Sequence, residues 1–276
     1  MSPTRHGEEH PYRELERTGW QRAAQSYMGS FERATRLFAP ALLDAAEVGR
    51  GTKTLDVACG PGLVSGLAYA RGAEAVGVDF SPNMLAEARR RHPSMEFREG
   101  DAEALPFADD AFDAVVINFG LHHFPFPARA LAEAHRVLRA GGKLAFTTWA
   151  APREHVLHGI VTEAVREVGG KSASLPTAPG GAVNESHLCL RLLEEAGFRR
   201  ESLHANVVKA EVAIGSASEL VEMIEAGTVR MAATLNAQPA DKRGAIVAAI
   251  EKGMAPYHQA DGYHIPFAAI LASATR

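Results

Sequence analysis

From Thr54 onward, short apolar runs alternate with longer segments whose apolar residues recur at helical spacing. Thr54 to Ala58 and Ala75 to Asp79 read as strands, and Met95 to Arg98 alternates as a third. Phe112 to Asn118 is almost wholly apolar, which predicts a strand buried on both faces. Lys143 to Trp149 reads as a fifth. Between them the pattern predicts one helix running to Arg71 and another over Pro82 to Arg91, opened by Ser81 as its cap with Pro82 in the first helical position. A third covers Ala128 to Arg139 and stops at Gly141-Gly142. Strands and helices alternating at this pitch predict right-handed βαβ units on a parallel sheet.

The flanks follow a different rhythm. The first dozen residues read as loose, and Glu14 to Ala46 as helix with a break allowed at Gly29. After Trp149 the alternation stops. Helices are predicted over His155 to Val168, His187 to Ala196 (ended by Gly197), Ser218 to Met231 and Asp241 to Met254. Phe198 to Ile214 and Tyr263 to Ala274 read as strands, and Gly169 to Gly181 as a loop rich in glycine and proline. The expected organisation is one domain over 1–276: a core at 14–150, helical insertions at 150–186 and 216–262, and a final strand at 263–275.

Composition narrows the function. With 276 residues, 46% hydrophobic and 22% charged, the chain can bury a sizeable core. A formal charge of −4 argues against a general electrostatic grip on nucleic acid. Two cysteines, Cys59 and Cys189, far apart, exclude a disulfide framework and a cysteine-rich zinc site, and a reducing cytoplasm is expected. The first twenty residues mix charges and lack the apolar stretch of a signal peptide. No run approaches the ~18–20 apolar residues of a membrane span, so a soluble protein with no membrane partner is expected.

The turn after the first strand carries the strongest chemical signal. Gly60 and Gly62 allow a sharp turn and the close approach of a ligand at a helix N-terminus. Asp79 ends the second strand, at the right distance to take ribose hydroxyls. A nicotinamide dinucleotide site wants Gly-x-Gly-x-x-Gly, and here the third position is Ser65, with Gly66 one residue late. Asp56, inside the first strand, points elsewhere. A buried carboxylate there needs hydrogen bonds or a cation. The methionine ammonium of S-adenosylmethionine, reached directly or through water, is such a cation.

In these stretches the sequence resembles the class I S-adenosylmethionine-dependent methyltransferases of small-molecule type. The matching motifs run from Leu55 to Gly62, Gly77 to Met84, Gly100 to Phe107, Phe112 to Asn118 and Leu138 to Leu144. The resemblance covers about residues 30 to 150 and implies an α/β, Rossmann-like, seven-stranded, mostly parallel sheet with the last strand antiparallel, plus a helical cap. It implies that Asp79 binds both ribose hydroxyls, that Phe80 and Met84 lie against one adenine face and Ala102 against the other, and that Asp101 accepts from the adenine amino group. The carbonyls of Ala58 and Asn118 would receive the methionine ammonium, and Tyr27 would close over the cofactor. One departure is Ala58 itself, where the family has its first loop glycine; alanine is tolerated there if its φ is negative.

Methyl transfer from a sulfonium needs an aligned nucleophile and often a base. His122 and His123, in the loop after the fourth strand, are the candidate bases, His123 ahead; they serve otherwise as pocket lining. The loop lacks the Asn/Asp-Pro-Pro-Tyr/Phe sequence of methyltransferases acting on DNA amines or glutamine amides. His155 and His158, three apart, lack a third zinc ligand at motif spacing, so no metal is expected. In resembling enzymes, inserts like 150–186 and 216–262 roof the acceptor, and Tyr257, His258 and His264 are candidate substrate contacts. The alternatives for these segments are plain core cover or the face of a homodimer. The expected function is methyl transfer from S-adenosylmethionine to an O, N or C nucleophile of a small molecule. An NAD-dependent oxidoreductase and a non-transferring S-adenosylmethionine-binding protein are the alternatives.

Overall fold

The computed structural model describes residues 10–169 and 174–276. Most of the predicted loose N-terminus, and residues 170–173 of the predicted loop, lie outside the described residues.

The chain opens with α1 (Pro11–Ala23), α2 (Glu32–Thr35) and α3 (Ala39–Ala45). Pro11 sits in the first turn of α1, and the His10 side chain accepts from the Tyr12 N–H as its cap. The single helix predicted over this region is thus three pieces. It breaks at Ser30, whose backbone leaves the helical region (φ −122°, ψ −103°) while its hydroxyl donates to the Ser26 carbonyl at 2.7 Å. The segment packs closely against Gly227, where an added Cβ would stand 2.3 Å from the Cβ of Phe31.

The alternating block then forms β1 (Lys53–Val57), α4 (Leu63–Ala70), β2 (Glu74–Asp79), α5 (Pro82–Arg91), β3 (Glu96–Glu99), β4 (Phe112–Asn118), α6 (Pro127–Val137) and β5 (Leu138–Trp149). Strand β5 starts earlier than the sequence suggests. Gly141 takes φ +81° and absorbs a register shift, so that Leu138 pairs with Phe112 but Lys143 with Ala114. The second half adds α7 (Val156–Glu167), α8 (Ser186–Glu195), β6 (His204–Ile214), α9 (Ala217–Gly227), α10 (Arg230–Asn236), α11 (Arg243–Met254), β7 (His258–Gln259) and β8 (Gly262–Thr275).

The sheet order is β3-β2-β1-β4-β5-β8-β6, with β7 a two-residue arm on β8. Strands β1 to β5 pair in parallel, and β8 runs antiparallel between β5 and β6. This is the expected mostly parallel sheet with a reversed last strand. The strand order reverses between β1 and β4, and a ligand crevice opens there at the carboxyl ends. Leu55, Val115, Ile117, Phe146 and Ile270 fill the sheet core with no exposed surface. A second core joins α7, α9 and α11 to Phe31, Phe38, Phe119 and Phe267, fixing the helical half over that crevice. Among the described residues, no helix is long and apolar enough to cross a membrane.

Candidate active site

A cavity of about 770 Å³ lies at the carboxyl ends of β1, β4 and β5. The strands and the turns after them contribute Asp56, Ala58, Gly60, Asp79, Asn118, His122 and His123 to its wall, α5 contributes Met84, α1 Tyr12 and Trp20, and the helical half His155, Val161 and Arg230.

The turn after β1 is built by positive φ angles. Gly62 (φ +80°) leaves no room for a side chain, since a Cβ would meet Phe97 at 3.1 Å and His92 at 3.0 Å. Gly60 (φ +52°) faces open space, with Met84 Sδ 4.0 Å from an added Cβ. Ala58 corrects an expectation: its φ is +55°, not negative, so this loop holds a non-glycine residue in the left-handed region.

Two buried carboxylates brace the turn. Asp56 Oδ2 accepts the Ser65 N–H at 2.8 Å and the Ser65 hydroxyl at 2.6 Å, tying β1 to the first turn of α4. Asp79 Oδ2 accepts the Gly60 N–H and Oδ1 the Ser81 N–H, both at 2.9 Å, so one side chain joins the turns after β1 and β2. Burial pushes Asp56 up to about 7 and Asp79 up to about 6, against the pull of these hydrogen bonds.

Phe80 and Asp79 line this cavity and also a smaller one of about 40 Å³, which adds Asp101 and Ala102. Arg13 of α1 covers the small one. Its guanidinium pairs with Asp101 and, at 3.0 Å, with Glu103, while Asp101 Oδ1 accepts the Glu103 N–H at 2.9 Å. Both Asp101 oxygens are therefore engaged, a contact the sequence did not disclose.

His122 and His123 stand side by side, ring centroids 4.1 Å apart, but in different settings. His122 has its Nδ1 3.3 Å from the Thr148 hydroxyl, and burial holds it well below the usual imidazole range. His123 Nδ1 lies 2.8 Å from Glu16 Oε2, and Trp20 packs edge-on to its ring. Glu16 is only 2% exposed, and its Oε1 has no partner among the described residues. Tyr27 reaches the cavity wall with its hydroxyl 3.0 Å from that of Thr35. Asn118 is held by Thr147, whose hydroxyl donates to its Oδ1 at 2.7 Å.

Tyr257, His258 and His264 are not brought to this cavity. They lie on the β7–β8 hairpin, where His258 packs edge-on to Tyr263 and His264 Nε2 is 2.9 Å from Asp261. The start of β8 pairs with the far end of β6, Tyr263 opposite Ile214, which carries the hairpin to the outer rim. The roof is made instead by His155 just before α7, His158 and Val161 within it, Leu175 to Asn184, and Gly227 to Thr234. His155 stacks on Trp149 at 4.7 Å and its Nδ1 accepts the Ala268 N–H at 3.3 Å, a packing role. Glu16, Trp20, Trp149 and Arg230 were not singled out by sequence. The one signal available was the single buried face of α1, formed by Tyr12, Glu16, Gly19 and Ala23.

A family profile described as a methyltransferase domain matches residues 55–146. The chain is 40% identical over 155 residues to a demethylmenaquinone methyltransferase of Renibacterium salmoninarum, covering 55% of this chain and 64% of that protein. It is 35% identical over 162 residues to one of Chlorobaculum parvum, covering 55% and 67%. The chain thus spans under two thirds of the first relative's length. A protein of solved structure from an antibiotic biosynthesis pathway of Anabaena variabilis shares the fold with TM-score 0.59 at 16% identity, covering 90% of this chain and 98% of that one. With the matched strand-and-turn motifs built into one cavity at the sheet's switch point, the chain belongs to the class I S-adenosylmethionine-dependent methyltransferase family.

Proposed function

We propose that this protein transfers a methyl group from S-adenosylmethionine to an O, N or C nucleophile of a small, largely apolar acceptor. One observation carries the reading: a single cavity runs from Asp79 and the 58–62 turn to His123 under an aromatic wall that includes Trp20, Phe119 and Trp149. The residues suit a nucleoside. The open side of Gly60 admits a ligand close to the backbone, and each Asp79 oxygen keeps a lone pair for a ribose hydroxyl beyond its one N–H. Phe80 and Met84 would face one side of the base and Ala102 the other. Asp101 would receive the base's amino group once Arg13 yields. The carbonyls of Ala58 and Asn118, with Tyr27 above, would hold the amino-acid end. Asp56 acts behind the turn, fixing its shape through Ser65.

When bound, S-adenosylmethionine supplies a methyl group on a cationic sulfur. His123 takes the acceptor's proton at Nε2. In the tautomer that donates Nδ1–H to Glu16 Oε2, the Nε2 lone pair is left for the base role. His122, kept neutral by burial, adds a polar group without a second charge. The dinucleotide alternative fits less well: Ser65 stands where a third glycine would be, and both its donors are committed to Asp56. Demethylmenaquinone, which names the relatives, is the first acceptor to test.

The test is S-adenosylhomocysteine release with S-adenosylmethionine and a panel of acceptors. Release that depends on an acceptor supports transfer. Binding without release for any acceptor favours the non-transferring reading, and NADH turnover overturns the proposal.

A further inference from the structure

One cation stands in the cavity without a matching anion. Among the described residues, Arg230 is the single lysine or arginine in the cavity wall. Its Nη1 donates to the Pro176 carbonyl at 2.7 Å, and its guanidinium carbon lies 5.6 Å from the Tyr12 ring centroid. Among the described residues no carboxylate comes within the 4.0 Å of an ion pair. Other arginines of this region behave differently. Arg243 meets both oxygens of Glu225 at 2.7 and 2.6 Å, and Arg33 meets Glu219 at 2.6 Å.

The two acids of the cavity wall are committed elsewhere, Asp79 to Gly60 and Ser81 and Asp56 to Ser65. The Arg230 charge instead faces His122 and Tyr12, where it disfavours a second positive charge on the imidazole. The wall there carries apolar Trp149, Val161, Val183 and Met231 together with neutral polar Asn184 and several threonines. A half-buried guanidinium with spare donors and no carboxylate within ion-pair distance costs free energy that an incoming anion would offset.

We propose that Arg230 anchors an anionic oxygen, a carboxylate or an ionised phenol or enol, on an otherwise apolar methyl acceptor, and so selects acidic acceptors over neutral isosteres. This rests on reading the cavity as the acceptor site. Arg230 joins α9 to α10, and its bond to Pro176 links it to the 174–184 stretch of the roof. Anion binding at Arg230 would therefore also fix the acceptor against the roof.

The experiment is a binding titration with 1-naphthoate and its neutral isostere 1-naphthamide, with and without saturating S-adenosylhomocysteine. Both tryptophans of the chain, Trp20 and Trp149, line the cavity, so their fluorescence reports occupancy, and calorimetry gives the affinities. The wild type is expected to bind naphthoate at least tenfold more tightly than naphthamide. In R230M the ratio falls close to one through weaker naphthoate binding, with naphthamide and S-adenosylhomocysteine affinities unchanged. R230K, which keeps a charge without the planar fork, retains part of the preference and guards against misfolding of R230M. Equal binding of the two probes by the wild type, or a preference that survives in R230M, overturns the proposal. So does a loss of S-adenosylhomocysteine affinity in R230M, which would assign the guanidinium to the cofactor's own carboxylate. The titration without S-adenosylhomocysteine reads the anion preference even if that nucleoside fails to bind, so failure of the methyl-transfer reading is seen separately.

Discussion

Glu16 and His123 are 107 residues apart in the chain, yet Glu16 Oε2 lies 2.8 Å from His123 Nδ1. The contact makes α1 part of the site, because a 2%-exposed carboxylate has few other ways to be satisfied. If His123 is the base, His123→Ala lowers kcat by about 10²–10⁴-fold with S-adenosylhomocysteine affinity intact. Glu16→Gln lowers kcat by less, because an amide can also present its NH₂ to Nδ1 and no longer fixes the proton there. Turnover that is normal in His123→Ala would demote the histidine to pocket lining.

If Asp79 takes the ribose hydroxyls, it links cofactor affinity to pH. Burial raises its carboxyl to about 6, and that of Asp56 to about 7, whereas an unfolded chain ionises both near ~3.9. Across that window the folded chain holds protons the unfolded chain has lost, so these two groups subtract stability as pH rises through it. A ligand whose hydroxyls donate to Asp79 favours the ionised form. S-adenosylhomocysteine should therefore bind more tightly as pH rises from 5 to 8, releasing a fraction of a proton that calorimetry in two buffers measures. Asp79→Asn should weaken binding by roughly 1.5–3 kcal/mol per charge-assisted hydrogen bond lost and flatten the pH dependence near 6. An unchanged affinity in that variant would remove Asp79 from the ribose role.

Much of this was legible in sequence where the cause is local. Strand β4 reads from Phe112 to Asn118 because both its faces are buried, and the Ser81-Pro82 start of α5 is a signal carried by two residues. The site end of the sheet followed from Asp56, Gly60, Gly62 and Asp79, all within or just after two strands. What failed was tertiary. Gly141-Gly142 looked like a stop, yet a bulge lets β5 run through them. Glu16 and Arg230 acquire roles only when α1 and the α9–α10 junction dock on the sheet, across separations no local pattern encodes. Tyr257, His258 and His264 have suitable chemistry but sit on a hairpin that the β6–β8 pairing carries to the rim.

Ala58 holds φ +55° next to the turn that carries Gly60 and Gly62. A left-handed alanine costs about 1–2 kcal/mol, while glycine costs roughly 0.4–1 kcal/mol through the freedom of the unfolded chain. Ala58→Gly should therefore stabilise the free protein by about 0.5–1 kcal/mol, the difference of those two figures. Chemical denaturation of both forms checks this, and a destabilised variant would mean that the Ala58 methyl packs more than it strains.

His155 is only 4% exposed, stacked on Trp149 and edge-on to Phe267, and burial lowers its pKa to about 4. In the unfolded chain the same group titrates near ~6.5. Between those values the unfolded state binds the extra proton, so the stability His155 contributes is complete above pH ~6.5 and is lost as pH falls towards 4. The full loss is on the order of 3 kcal/mol. His122, held well below its usual range, acts in the same direction. Asp56 and Asp79 act oppositely over the same window and offset part of the histidines' pH dependence. Removing one arm exposes the balance. His155→Phe keeps the ring stack and leaves the Ala268 N–H without its imidazole acceptor, a cost of about 1–3 kcal/mol that does not vary with pH. The variant should melt below the wild type at pH 8, and the gap should close or reverse by pH 4.5 because phenylalanine has no proton to take up. Calorimetric scans of both proteins at those two pH values decide the matter. A gap that stays constant would show that His155 is not held neutral by its burial.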